Sequence, residues 1–389
     1  MSFFSGSLFF IFLIPALVPA VLLGLLGKPL RTYRNLLTVA MILLVYLPAP
    51  VQLLYLILYC VLALLLTTLF LSHRKKKGRE PKVFYAALIL ALLPLIVCKC
   101  AAVFEVSVFG FLGISYLCFR VLIVLIEIHD GVITSVSPAG LLSYLLFFTS
   151  LSSGPIDRPR RFEKDDTAVF SREEYTELLY RGIYRIVLGA FYKFVCSEAM
   201  YYVLHTYIDG YQSPPYLVAY AYVYGLYLFF DFAGYSAMAT GTSYLLGIRM
   251  PDNFNRPFLA VDLRDFWNRW HITLSSFFRD FVFTRFMIFA ARKKAAGSRL
   301  QRASAGLILN MFLMGLWHGI SIHYVLYGLY HGILLAVTEV FQKKSSFYKR
   351  NRQKPWYIAC SWLLNLNIVM LGFLIFSGYL SEVWKELMH

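Results

Sequence analysis

Charged residues are scarce in this sequence: Asp, Glu, Lys and Arg make up 15% of its 389 residues, against about a quarter in soluble chains. With 59% apolar and 17% aromatic residues, the shortage excludes an ordinary water-soluble fold. The apolar runs follow one another without a polar block large enough to fold alone, so residues 1–389 read as one integral membrane domain. Cysteine is sparse too. The six (Cys60, Cys98, Cys100, Cys118, Cys196 and Cys360) lie in apolar stretches, with no C-x-x-C pair and no histidine at metal-ligand spacing. They read as small core residues, and neither a disulfide framework nor a metal is expected. Missing as well are a G-x-S-x-G elbow, a P-loop and an H-E-x-x-H helix, so the catalytic options narrow to histidine.

What is present is a succession of apolar segments. The first, Leu8 to Gly27, is about as long as a bilayer core requires. Lys28, Arg31 and Arg34 follow it rather than precede it, which favours a span over a signal peptide. Further candidates are Leu36 to Leu47, Val51 to Leu71, Val83 to Phe104, Val108 to Ile128 and a short Leu141 to Leu151. Then come Leu178 to His205, Tyr216 to Phe232, a glycine-rich Met238 to Ile248, Ala303 to Ile322, Tyr324 to Phe341 and Trp356 to Phe376. Leu47-Pro48-Ala49-Pro50 must break or kink a helix, because proline lacks the donor and clashes with the preceding turn. Short, broken segments are tolerated at membrane depth only where protein or a water-filled cavity covers the backbone. A helical bundle around a cavity is therefore expected.

The net charge of +16 would suggest nucleic acid in a soluble chain. Here the cations fall in short blocks between apolar segments: Lys28 to Arg34, Arg74 to Lys82, Arg158 to Arg161, Arg292 to Arg302 and Lys343 to Lys354. All can be cytoplasmic if the N-terminus is outside, as positive-inside topology requires. Anionic headgroups or an acidic cytosolic partner could use the same blocks.

Two polar stretches interrupt the pattern. Ser152 to Glu177 opens with a Gly-Pro turn followed by arginines and reads, on composition, as an ordinary cytoplasmic loop. Pro251 to Arg302 contains an amphipathic helix that starts from Asp262 as N-cap. At 100° per residue, Leu263, Phe266, Trp267, Trp270, Leu274, Phe277, Phe278 and Phe281 share one face, with Ile272 out of phase. His271 is expected at the edge of that stripe, facing the seam between apolar layer and polar surface.

Of eight histidines, His73 and His389 fall in exposed-looking segments, and His129 and His205 at the ends of spans. His318 is different, lying well inside an apolar segment, roughly 20 Å along its helix. An ionisable group at that depth is costly and faces an interior path or cavity, or else bonds a neighbouring helix. Gly315 and Gly319 beside it let a helix or a slender substrate approach. His323 and His331 do not complete a recognised zinc set with it. Asp231 is a second buried ionisable residue, expected to cap a helix or pair with an arginine. Glu127 and Asp130 around His129 close a span and are expected to pair with a basic residue or water.

Phe232-Ala233-Gly234-Tyr235-Ser236, Asn253-Phe254-Asn255-Arg256-Pro257-Phe258, Phe266-Trp267-Asn268-Arg269-Trp270-His271 and Gly315-Leu316-Trp317-His318-Gly319 together resemble the core of the membrane-bound O-acyltransferase (MBOAT) family. Order and spacing agree across about residues 150–340. Within that family, Ser153-Gly154-Pro155-Ile156-Asp157-Arg158 and Tyr327-Gly328-Leu329-Tyr330-His331-Gly332 look most like its D-alanyl-transfer branch, the DltB proteins of Gram-positive bacteria. Alginate O-acetylases typically read Gly-Tyr-Ser-Asp where this chain has Gly234-Tyr235-Ser236-Ala237.

The resemblance implies an all-α polytopic fold of about eleven transmembrane helices around a central tunnel, with short and amphipathic helices between them. It implies His318 and His271 as the catalytic pair. Trp317, Asn268, Trp267, Asp231 and Asn255 are then expected to line the tunnel. It implies no permanently bound cofactor, the donor being D-alanine held as a thioester on the 4'-phosphopantetheine arm of a carrier protein (DltC). It implies DltD, the small membrane peptide DltX, membrane lipids and lipoteichoic acid as further partners, and no nucleic acid. Arg264, Arg269, Arg279 and Arg292 are expected to dock the carrier. A thioester is already activated, so His318 would act as general base on an acceptor hydroxyl while His271 meets the thioester end of the arm. The alternative within the family is another bacterial O-acyltransferase, such as a polysaccharide O-acetylase; the rival classes are a transporter or flippase, which would show repeated halves that this sequence lacks, and a non-catalytic scaffold, which would leave His318 and His271 unexplained.

Overall fold

Proline and glycine set the helix boundaries that the apolar runs leave open. In the computed structural model, residues 3–381 are described, apart from residues 5, 105, 107, 108, 212 and 295; residue 108, where a span was expected to begin, and His389 lie outside the described set. Every regular element among the described residues is helical. Among the described residues, seven helices are long and apolar enough to cross a membrane: Leu8–Leu25, Pro50–Lys77, Pro81–Val103, Arg172–Ile208, Pro214–Leu245, Ile322–Lys344 and Pro355–Ser377. The protein is a multi-pass, all-α membrane protein. The chain divides into two compact units, Met1–Ala190 with Gly234–Asp252, and Phe191–Ala233 with Asn253–His389.

The first unit contains α1 (Ser7–Leu25), α2 (Arg31–Tyr46), α3 (Pro50–Lys77), α4 (Pro81–Val103), α5 (Ile114–Asp130), the short α6 (Pro138–Leu146) and α7 (Pro159–Asp166), and α8 (Arg172–Phe191) up to Ala190. The chain breaks at Pro48 and Pro50 as expected: α2 ends at Tyr46, and Pro50 takes the first turn of α3, where its missing donor costs nothing. The core is threaded by buried cations rather than being purely apolar. Arg120, 1% exposed, donates to Tyr144 O and Ser150 Oγ, each at 3.0 Å. Arg34 pairs with Asp166 and donates to Leu246 O at 3.1 Å.

The stretch from Ser152 is not the ordinary loop its composition suggests. Ser152, Gly154, Pro155, Ile156 and Asp157 are buried. A Cβ at Gly154 would lie 2.2 Å from Thr149 O, so only glycine fits. Ser152 Oγ is 2.6 Å from the Tyr235 hydroxyl, and Asp157 accepts from Arg158 N at 2.6 Å and Arg161 Nε at 2.7 Å. Burial pushes the Asp157 carboxyl up to about 6 despite Arg161.

Tyr216–Phe232 and Met238–Ile248, expected as separate spans, are one helix, α10 (Pro214–Leu245). Its glycines do not break it. A Cβ at Gly189 of α8 would lie 2.6 Å from Gly234 O, and one at Gly182 would lie 2.9 Å from Gly241 O, so the glycines let two helices meet backbone to backbone.

The second unit contains two π-helical turns, Tyr192–Ser197 and Leu204–Ile208, around α9 (Glu198–Val203). It also holds α10 up to Ala233, then α11 (Leu263–Arg269), α12 (Ile272–Phe278), α13 (Thr284–Arg292), α14 (Arg299–His318), α15 (Ile322–Lys344), α16 (Ser346–Asn351) and α17 (Pro355–Ser377). Helices α14 and α15 form a tight hairpin: a Cβ at Gly315 would lie 2.3 Å from Tyr324 O, and one at Gly328 would lie 2.5 Å from Met311 O. The partner that Gly315 admits is thus a neighbouring helix. Ser298 starts α14 with a capping box to Gln301.

Candidate active site

The expected continuous amphipathic helix from Asp262 to Phe281 is interrupted, and the interruption places His271. Asp262 does cap α11, accepting from Asp265 N at 2.8 Å. The helix then stops because Trp270 is extended and His271 adopts φ 42°, ψ 52°, a left-handed conformation that a side chain with a Cβ adopts at a cost of roughly 1–2 kcal/mol. The segment 253–255 holds the break open. Asn255 N donates to Arg269 O at 3.0 Å, Ile272 N donates to Asn253 O at 2.9 Å, and Asn253 Oδ1 accepts from Thr273 Oγ1 at 2.6 Å. The break resets the helical phase, which is why Ile272 was out of register. A π-helical turn at Arg279–Phe283 interrupts the pattern again.

His271 therefore does not face a seam with the polar surface; it is 4% exposed. Phe232 meets its ring edge-on at 4.6 Å and Trp317 lies at 6.3 Å. Burial, and then the nearby His318, hold its pKa well below the ordinary imidazole value. The ring is neutral at physiological pH.

His318 also differs from expectation. It is the last residue of α14, half-buried rather than midway along a span, because Gly319 is extended and Ser321 starts the next helix. Counting from Arg299, it lies about 28 Å along the axis. Trp317 contacts it at 4.6 Å and Phe376 at 4.9 Å.

His271 and His318 line one cavity of about 60 Å³ together with Trp267, Trp270, Tyr327 and Phe376. A second cavity of about 150 Å³ shares the Trp267 wall and contains Asn268, Asn310, Thr338 and Gln342, with Arg264, Arg279 and Glu339 among its charged residues. Two buried polar atoms on that cavity's walls, Asn310 Oδ1 and Trp267 Nε1, have no hydrogen-bond partner among the described residues. An uncompensated buried polar atom costs about 1–3 kcal/mol, so these positions suit a ligand with complementary amide groups.

The structure thus brings His318, His271 and Trp267 around one cavity, sets Trp317 against both imidazoles, and puts Asn268 on the adjoining cavity. It does not bring Asn255 or Asp231 there. The Asn255 side chain is exposed, and the residue contributes its backbone to the α11–α12 break. Asp231 lies inside α10 and pairs with Lys193, so it neither caps a helix nor meets an arginine. Of the four arginines, Arg264 pairs with Glu339 at 3.5 Å, Arg269 with Asp265 at 2.7 Å and Arg279 with Asp280 at 3.1 Å, while Arg292 is exposed in the last turn of α13. Sequence reading missed Asn310, Tyr327 and His331. His331, 1% exposed, packs edge-on against Trp267 at 5.3 Å and Tyr327 at 4.7 Å, backing the shared wall. The four-residue step from Tyr327 to His331 puts both on one helical face and was the available signal. Among the described residues, no three His, Cys, Asp or Glu side chains gather as a metal site would need.

Residues 42–381 match the model of MBOAT, the membrane-bound O-acyltransferase family. The chain is 37% identical to a teichoic acid D-alanyltransferase of Bacillus subtilis (strain 168), covering 96% of this chain and 98% of that protein. It is 36% identical to a teichoic acid D-alanyltransferase of Streptococcus thermophilus, covering 98% and 96% respectively. A teichoic acid D-alanyltransferase of Lacticaseibacillus rhamnosus is 35% identical, with 98% of each chain covered.

Proposed function

The chain belongs to the membrane-bound O-acyltransferase family, and from that membership we propose that it moves D-alanyl groups from a carrier-protein thioester in the cytoplasm to teichoic acid outside. The observation that carries this reading is the small cavity shared by His271 and His318, which has its Trp267 wall in common with a larger cavity with charged residues among its lining. A volume of about 60 Å³ suits a short acyl group and is too small for a long fatty chain. The substrate arm, 4'-phosphopantetheine, carries two amides, which Asn310 Oδ1 and Trp267 Nε1 could satisfy.

In the proposed step His318 takes the proton of an acceptor hydroxyl as that oxygen attacks the thioester carbonyl carbon. The tetrahedral intermediate collapses with cleavage of the C–S bond, and the imidazolium returns its proton to the departing thiolate. The position of His318 at the C-terminal end of α14 supports this role, since the carbonyl end of a helix favours the positive charge that develops on the ring. His271, neutral and fixed by the α11–α12 break, would meet the thioester end of the arm.

All 389 residues are read as one integral domain, with residues 150–340 as its catalytic core. Helices α2, α5 and α14, added to the seven longer ones, would make ten spans, with the nine-residue α6 entering only part-way, for about eleven membrane segments around a central tunnel. The basic ends of α3 and α15 and the basic start of α14 suit a cytoplasmic level with the N-terminus outside. DltC is the proposed donor and DltD, DltX and lipoteichoic acid the proposed downstream partners. With three of its four expected arginines engaged by carboxylates, Arg292 is the strongest of them for carrier docking. The test is reconstitution in vesicles with alanyl-loaded carrier. Loss of thioester with ester appearing on teichoic acid is expected, whereas carrier-independent transport of D-alanine would replace this reading with the transporter.

A further inference from the structure

A groove of about 270 Å³ on the second unit lies between α15 and α17, apart from the histidine cavity. One end is polar and basic, with Arg352, Tyr348 and Tyr357; its length is apolar, with Val337, Leu364 and Ile368. The aromatic side chains fix the level of the polar end. Tyr348 packs against Phe341 at 5.9 Å and Tyr357 at 6.1 Å, and Phe347 against Trp356 at 6.2 Å, the Trp and Tyr cluster expected where a helix leaves the hydrocarbon. From Tyr357 to Ile368 the helix rises about 16 Å, the depth of one leaflet of a hydrocarbon core about 30 Å thick.

The groove's lining includes one carboxylate, Asp262, and the polar end is otherwise basic. Between Gln342 and Lys354 the sequence carries Lys343, Lys344, Lys349, Arg350, Arg352 and Lys354 and no acidic residue. The carboxylates packed nearby are already engaged. Asp262 accepts from Gln342 Nε2 and Asp265 N, each at 2.8 Å, and Glu339 pairs with Lys343 at 2.5 Å and Arg264 at 3.5 Å. Arg352, Lys349, Arg350 and Lys354 are exposed.

We propose that this groove is a binding site for an anionic glycerophospholipid, its phosphate held by Arg352 and the Tyr348 and Tyr357 hydroxyls and one acyl chain lying between α15 and α17. The surplus of cations favours an anionic headgroup over a zwitterionic one, at about 1 kcal/mol for each cation near the surface. The site does not depend on the acyl-transfer reading.

The test uses the full-length protein in nanodiscs and native mass spectrometry to count retained lipids, with phosphatidylglycerol and phosphatidylcholine in competition. Wild type is expected to retain phosphatidylglycerol preferentially. Arg352→Gln should weaken that retention about fivefold, the equivalent of one surface cation. Leu364→Trp, which fills the groove from an exposed position, should lower retention of both lipids without touching the basic end. Equal retention of the two lipids by wild type overturns the proposal, as does unchanged phosphatidylglycerol binding in Arg352→Gln. Displacement of the lipid by inorganic phosphate at equal concentration also overturns it, since the apolar groove would then contribute nothing. So does release of the lipid by an acidic soluble protein that binds the basic block in its place.

Discussion

At the scale of single residues, the two histidines have unlike surroundings, and the unlike parts proposed for them rest on that difference. His271 is sealed and neutral; His318 is half-buried at a helix end. Asn310 is a comparable case, its Oδ1 buried on a cavity wall with no hydrogen-bond partner among the described residues. If it bonds the donor arm, Asn310→Leu should raise KM for the loaded carrier by about tenfold, the equivalent of roughly 1.4 kcal/mol, while changing kcat less. Steady-state kinetics with carrier thioester check this. Two titrations should be visible in stability, with opposite signs. The folded state holds the Asp157 proton up to about 6, whereas the unfolded chain releases it near 3.9. Its contribution to stability is therefore present at low pH and declines as pH rises from about 4 to 6. The difference in Tm between wild type and Asp157→Asn should fall across that window. For His271 the folded pKa is depressed, so its contribution is present above about 6.5 and is lost as pH falls below that value. The Tm difference between wild type and His271→Gln should shrink in that direction.

At the scale of elements, what the sequence made legible was periodicity and punctuation. Pro48 and Pro50 ended and began helices where expected, and Asp262 capped α11. The same signals failed where a tertiary contact decided the outcome. Glycines 234 and 241 looked like an interruption, yet α8 uses them as a packing surface within one continuous helix. The stripe from Leu263 to Phe281 looked like one helix, yet backbone bonds from the 253–255 segment break it at His271. Neither partner is within reach of a local pattern, and Ile272 was the one residue that registered the break. Packing at the glycines predicts that Gly189→Leu, whose Cβ meets Gly234 O, destabilises the protein by about 1–3 kcal/mol or more. Gly131→Ser, at a left-handed position (φ +81°, ψ 16°) with the nearest atom to an added Cβ at 3.7 Å, should cost only about 1–2 kcal/mol, the local backbone penalty. Denaturation in mild detergent compares the two.

At the scale of the whole molecule, a multi-pass helical membrane protein was fully legible from scarce charge and long apolar runs, because the bilayer leaves the backbone few alternatives. The proposed catalytic pair came from the family resemblance alone, and the cavity that the two histidines share was not legible, since it depends on Trp267, Tyr327 and Phe376 arriving from three separate helices. The central claim is that this cavity performs acyl transfer with His318 as its base. The most direct measurement is single-turnover loss of the alanyl thioester from carrier protein in vesicles containing wild type, His318→Ala or His271→Ala, with folded protein confirmed by helical circular dichroism and gel filtration. His318→Ala should lower the transfer rate by at least about 100-fold, the scale of a lost general base, while remaining folded. Transfer at the wild-type rate by folded His318→Ala would contradict the account.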